Sequence, residues 1–157
     1  MRVSLFILLF FILYSCERNK IIEEKRYVYK ITSEGLLNRH SLSLIIKNKD
    51  SVIDYKYIAN DSLKNLGIRY YLNKDILVLN EVFYYTNKKV FVKEKEYKIY
   101  GSQVNGFASH PSFILFGKDY GIKANVAYGA DFLFLKDSIP KIDNELLFEK
   151  IISRINE

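Results

Sequence analysis

A succession of short runs in which apolar and polar residues alternate, each closed by a turn signal, is the strongest constraint on how this chain folds. Period-two alternation sends successive side chains to opposite faces, so such runs bury one face only as strands of a sheet. Residues 26–31 and 41–46 read this way, the second with serines on the wet face, and residues 48–51 form the turn after them. Further strands are predicted over 52–59, 68–72, 76–86, 89–100, 112–116, 122–128 and 132–135. Between the third and fourth, Asp61 is placed to cap a short helical turn over 62–66 that Gly67 would end in the left-handed conformation. This regular spacing predicts an antiparallel meander.

Two runs depart from simple alternation. Residues 93–98 are charged on both faces, so that arm is expected to project from the sheet or to lie at its edge. Phe132, Leu133, Phe134 and Leu135 have no polar alternate, which calls for burial on both faces. A cover is at hand. Pro140 stops the strand region, Asp143 is placed as an N-cap, and Phe148, Ile151, Ile152 and Ile155 form a helical stripe opposite Glu149, Lys150, Ser153 and Arg154. The expected fold is α+β and mainly β: an antiparallel meander sheet, curved or sandwich-like, with one C-terminal amphipathic helix packed on it.

The first sixteen residues carry a different signal. Leu5 to Tyr14 are ten apolar residues, and a helix needs about twenty to cross a bilayer. With Arg2 ahead and a small residue at its end, the segment has the order of a secretory signal. Leu13-Tyr14-Ser15-Cys16 resembles the lipobox of bacterial lipoproteins, although Tyr14 stands where a small residue is more usual. The resemblance implies cleavage between Ser15 and Cys16, a diacylglyceryl group on the Cys16 thiol and an acylated new amino terminus. Cys16 is the sole cysteine, so an internal disulfide is excluded. Several acyl chains on one residue moor a protein stably where one chain alone does not. The expected organisation is a signal peptide over 1–15, a polar tether over 16–25 and a single β-rich domain over 26–157, similar in kind to small envelope lipoproteins. The expected place is the bacterial cell envelope, at the outer membrane or cell surface in preference to the inner membrane.

Charge narrows the partners. The chain holds 24 Lys and Arg against 18 Asp and Glu. Its lysines are dispersed, with no dense block to follow a phosphate backbone, so nucleic acid is not an expected partner. The only histidines are His40 and His110, and neither belongs to a spaced HExxH or CxxC motif, so neither a metal nor a cofactor is expected. Ser109 or Ser112 beside His110 lacks the GxSxG elbow that exposes a nucleophile. Glu94 and Glu96 are interleaved with lysines, as on a solvated strand.

The longest polar connection, residues 101–112, gathers Gln103, Asn105, Ser109 and His110, which could hydrogen-bond a ligand, while Asn105-Gly106 is a tight-turn signal in its own right. The many tyrosines and phenylalanines suit a core first and a stacking surface second. The leading expectation is a non-catalytic binding or accessory module, held to the membrane through Cys16 and meeting an envelope protein or a secreted factor. The alternatives are an envelope hydrolase working through the loop around His110, and an immunity-type inhibitor of a secreted toxin.

Overall fold

The computed structural model describes residues 21–32, 35–92, 95–102, 112–127 and 130–136, together with Glu149 and Ser153. It contains ten strands: β1 (Ile21–Thr32), β2 (Gly35–Lys49), β3 (Val52–Ala59), β4 (Leu66–Tyr71), β5 (Ile76–Leu79), β6 (Val82–Val92), β7 (Lys95–Ser102), β8 (Phe113–Gly117), β9 (Gly121–Ala127) and β10 (Ala130–Leu135). Each strand pairs antiparallel with the next, and β1 pairs with β10 to close a barrel. The fold is therefore mainly β and antiparallel, as expected, but the meander is neither an open curved sheet nor a sandwich. Closure satisfies the two edge strands that an open meander would leave bare. It depends on a pairing between the first and last strands, which local alternation does not encode.

Several boundaries differ from the sequence reading. β1 begins at Ile21 rather than at residue 26, taking up part of the expected tether. The run 76–86 breaks where Asn80 and Glu81 adopt φ of 48° and 66°, a two-residue hairpin between β5 and β6. The run 89–100 divides between β6 and β7. Gly67 does not end a helix but lies in β4 opposite Lys56. The helical turn itself is a short 3₁₀ segment, Ser62–Lys64, whose first turn is capped by the Asp61 carboxylate accepting from the Leu63 amide at 3.1 Å. The C-terminal helix expected on the sheet is not seen among the described residues; of residues 137–157 only Glu149 and Ser153 are described, both helical and exposed.

The lumen is filled. Leu44, Tyr55, Tyr57, Leu77, Ile114 and Ile122 point inward at 0% exposure. At its centre Phe116 meets Tyr55, Tyr70 and Tyr100 with ring centroids 5.1, 5.3 and 5.9 Å apart, in edge-on or tilted geometries. Each such pair adds about 0.5–1.5 kcal/mol beyond its buried area. Two tyrosines also hold the β8–β9 turn from inside. Tyr55 Oη donates to the Lys118 carbonyl at 2.5 Å, and Tyr57 Oη accepts from the Ile122 amide at 2.6 Å. Burial raises both phenol pKa values, so the hydroxyls stay protonated. Gly121 beneath Tyr57 has φ of +81°, and a Cβ there would run into the phenol oxygen.

The outer wall has two characters. Over β2 to β5 it is polar, with Ser43, Lys47, Lys56 and Arg69 exposed. Over β7 to β10 and β1 the outward side chains Tyr29, Ile99, Leu115, Ala124, Leu133 and Leu135 are buried as thoroughly as the lumen. The apolar run 132–135 is thus covered on both faces, as its composition required.

At the end of the barrel where β1 begins, the start of β1 and the β6–β7 hairpin run past a neighbour, while the β1–β2 hairpin turns at the opposite end. β10 reaches only as far as Tyr27 on β1, which leaves residues 21–26 with a ladder on the β2 side alone. β5 reaches only to Tyr85 on β6 and β8 only to Lys98 on β7, so the far part of the β6–β7 hairpin extends as a two-stranded arm. Of the two expectations that the charge pattern of 93–98 left open, projection from the sheet or a place at its edge, the described part of this hairpin fits the first. Glu96 within it pairs with Lys89 at 3.1 Å.

Candidate functional site

β7 ends at Ser102, and Ser112 stands immediately before β8, so the two serines form the base of the loop over 103–111. The Ser102 amide donates to the Ser112 carbonyl at 3.1 Å, and the Ser112 amide donates to Ser102 Oγ at 3.2 Å. Their hydroxyls lie 3.4 Å apart, and Tyr84, which faces Ser102 across the β6–β7 ladder, brings its phenol to 2.8 Å from Ser112 Oγ. The result is a cluster of three hydroxyls at the inner rim of the barrel end opposite the projecting arm. Asn125, opposite Ile114 and Phe132, faces the same end with a buried Oδ1 that has no partner among the described residues.

Among the described residues the three hydroxyls have no hydrogen-bond partner that could take a proton from serine, so the cluster is suited to hydrogen-bonding a polar ligand. His40, on β2 opposite Val28, is half-buried; burial first, then Lys64 and Arg39, hold its imidazole pKa below the usual value. Among the described residues no group of three His, Cys, Asp or Glu is placed to hold a metal ion.

The residues singled out from the sequence, Gln103, Asn105, Ser109 and His110, lie outside the described residues, as do Ser15 and Cys16. What the structure adds is the rim at the base of that loop, above all Tyr84, which the sequence reading did not separate from the other tyrosines of the core.

Two charged constellations stand at the other end. Arg26 is fully buried: Nη2 donates to the Tyr120 carbonyl at 3.0 Å, Nη1 lies 2.5 Å from Glu24 Oε2, and the guanidinium sits 4.6 Å from the Tyr120 ring centroid. Lys136 also pairs with Glu24, at 2.9 Å. Burial would raise the Glu24 pKa, but the bonds from Lys136 and Arg26 prevail and lower it. A buried charge is tolerated only with such partners.

Asp75 is the second. It adopts φ of 52°, which a short polar side chain tolerates, and stands just before β5. Its carboxylate accepts from Tyr100 Oη at 2.7 Å, Tyr70 Oη at 2.9 Å, Thr86 Oγ1 at 2.9 Å and Lys98 Nζ at 2.7 Å. Thr86 and Lys98 lie where the β6–β7 arm leaves the barrel, so one carboxylate fastens the root of the arm to β4 and β5. Burial alone would raise the Asp75 pKa; the four donors outweigh it and bring it down to about 2.

Fold and site together define a closed, antiparallel up-and-down barrel with an occupied lumen, one covered wall and a hydroxyl-lined rim. No family model matches the chain, and neither a curated protein nor a solved structure is significantly similar to it.

The Asp75 constellation sets a pH dependence. Its folded pKa lies below the unfolded value of about 3.9, so its stabilisation is complete above that pH and is lost as pH falls through about 2. Replacing Asp75 by Asn should cost about 1–2 kcal/mol near neutral pH, a figure discounted for the carboxylate's partial exposure. In urea titrations the difference from wild type should shrink between about pH 4 and pH 2. A constant difference across that window would contradict the assignment.

Proposed function

We propose that this chain is a lipid-anchored lipoprotein of a bacterial envelope, and that its barrel serves as a non-catalytic binding or accessory module for another envelope protein or a secreted factor. The observation that carries this reading is Leu13-Tyr14-Ser15-Cys16 at the end of a short apolar leader, only four residues before β1 begins at Ile21. The barrel's polarity supports anchoring over spanning. Its strands turn Leu, Ile, Phe and Tyr side chains inward, and β2 to β5 present Lys47, Lys56 and Arg69 outward, the reverse of a barrel that faces lipid. Among the described residues no helix is long and apolar enough to cross a membrane.

A closed barrel offers little free strand edge, so recognition through an added strand is left to the stretches with a partner on one side only: residues 21–26 of β1, residues 35–41 of β2 and the β6–β7 arm. The hydroxyl-lined rim, with the loop over 103–111 that it supports, is the more suitable binding surface. Supply of a labelled fatty acid to cells should mark the native protein and leave a Cys16→Ser variant unmarked. Recovery of an unmodified chain beginning at Met1 from the soluble fraction would refute the anchor.

We also assign the cover of the buried outer wall to the C-terminal segment. The wall residues Leu115, Ala124 and Leu133 are at most 1% exposed although they point away from the lumen. Glu149 and Ser153, four apart, are helical and exposed, which suits the polar side of a helix whose apolar stripe is Phe148, Ile151, Ile152 and Ile155. Phe148→Ala should therefore cost about 3–5 kcal/mol of unfolding free energy, as for a core aromatic. Glu149→Ala should stay within about 0.5 kcal/mol of wild type. Equal effects from the two changes would exclude this cover.

A further inference from the structure

The start of β1, which has no partner on its β10 side, and the projecting β6–β7 arm lie at the same end, and β1 and β6 stand five places apart in the ring of ten strands, on opposite sides. Each carries a large apolar side chain in water: Ile21 at 61% exposure as the first residue of β1 and Phe91 at 64% on the arm. We propose that this end of the barrel is a lipid-docking surface, on which Ile21 and Phe91 rest in the interfacial layer of the membrane that holds the acylated Cys16. The inference depends on the anchor reading above and adds an orientation to it.

The tether fixes which end meets the membrane. From Cys16 to Ile21 the chain can span at most about 18 Å even when fully extended. β1 has 12 residues and, at about 3.3 Å per residue, is about 40 Å long. The opposite end also bears exposed apolar residues, Leu63 at 93%, Phe83 at 53% and Leu37 at 49%, so apolar exposure alone does not choose between the ends; the short tether does, by keeping that end away from the bilayer. Phe91 is instead held at the anchored end by the hairpin whose root Asp75 fastens.

Charge contributes little to the contact. Lys89 pairs with Glu96 and Lys49 with Asp54, and the exposed lysines Lys25, Lys47, Lys74 and Lys118 share this end with the exposed acids Glu23, Asp50 and Asp119. An apolar-led contact held by a covalent anchor is accordingly insensitive to salt. With this end on the lipid, the rim formed by Tyr84, Ser102 and Ser112 faces away from the membrane, open to a partner in solution.

The chain contains no tryptophan, so single substitutions report on single places. The full chain carrying Phe91→Trp or Leu63→Trp is to be extracted with its membranes and reconstituted in vesicles of phosphatidylethanolamine and phosphatidylglycerol. Emission from position 91 should shift to the blue and be quenched by brominated phosphatidylcholine, in high salt as in low. Emission from position 63 should remain red and be quenched by aqueous iodide alone. Water-exposed emission at both positions, or lipid quenching at 63 instead of 91, overturns the docking. Mass measurement of Cys16 on the same sample separates the two readings. Should the thiol prove unacylated, the anchor fails, and coupling that thiol to a maleimide lipid in the same vesicles still yields one of these outcomes for the docking surface.

Discussion

The structure depends on a short seam. Tyr27 to Lys30 of β1 pair with Leu135 to Phe132 of β10, and these four residue pairs convert a ten-stranded meander into a barrel. Without them β1 and β10 would both present bare ladders, and the inward side chains of both flanks would face water. Closure lets tyrosines from β3, β4 and β7 converge on Phe116 of β8, strands far apart in the chain. Lumen and seam therefore stabilise one another, and each loses most of its value when the other is absent.

A filled lumen also decides where function can reside. Tyr55, Tyr57 and Phe116 occupy the space that a ligand-carrying barrel would leave vacant, so recognition is left to the ends and the outer wall. The wall divides into a polar half and a buried half, and the ends are likewise unlike. One carries the start of β1, the projecting arm and the Asp75 and Arg26 constellations; the other carries the hydroxyl cluster beneath the loop. An anchor on the first leaves the second available, and the proposed orientation follows from the length of chain between Cys16 and β1.

Much of this architecture was legible in the sequence because it is local. Alternation located the strands, the two-sided charge of 93–98 pointed to an arm or an edge without choosing between them, and the unbroken apolar run 132–135 announced burial on both faces. The Asn80-Glu81 turn was missed because continuous strand-forming residues flank it and Glu rarely takes a positive φ. Closure was missed for a deeper reason: residues 27–30 and 132–135 find one another across most of the chain, and nothing in either run names its partner. The charged groups were hidden in the same way. Arg26 shares its parity with the inward Val28, a discord that could have marked it, whereas Asp75, between two strand runs, carries no signal of its own until folding brings four donors to it. The loop residues chosen from sequence, among them Gln103 and His110, were placed by composition alone, and the supporting hydroxyls of Tyr84, Ser102 and Ser112 meet only through the β6–β7–β8 ladder.

Barrel closure is tested most directly by proton NMR of the folded protein. The account predicts cross-strand contacts between Tyr29 and Leu133 and between Val28 and Phe134, with amides over residues 27–30 exchanging as slowly as those of β3. Intact contacts along every other strand pair, with none between β1 and β10 and rapid exchange along both, would show an open sheet and contradict it.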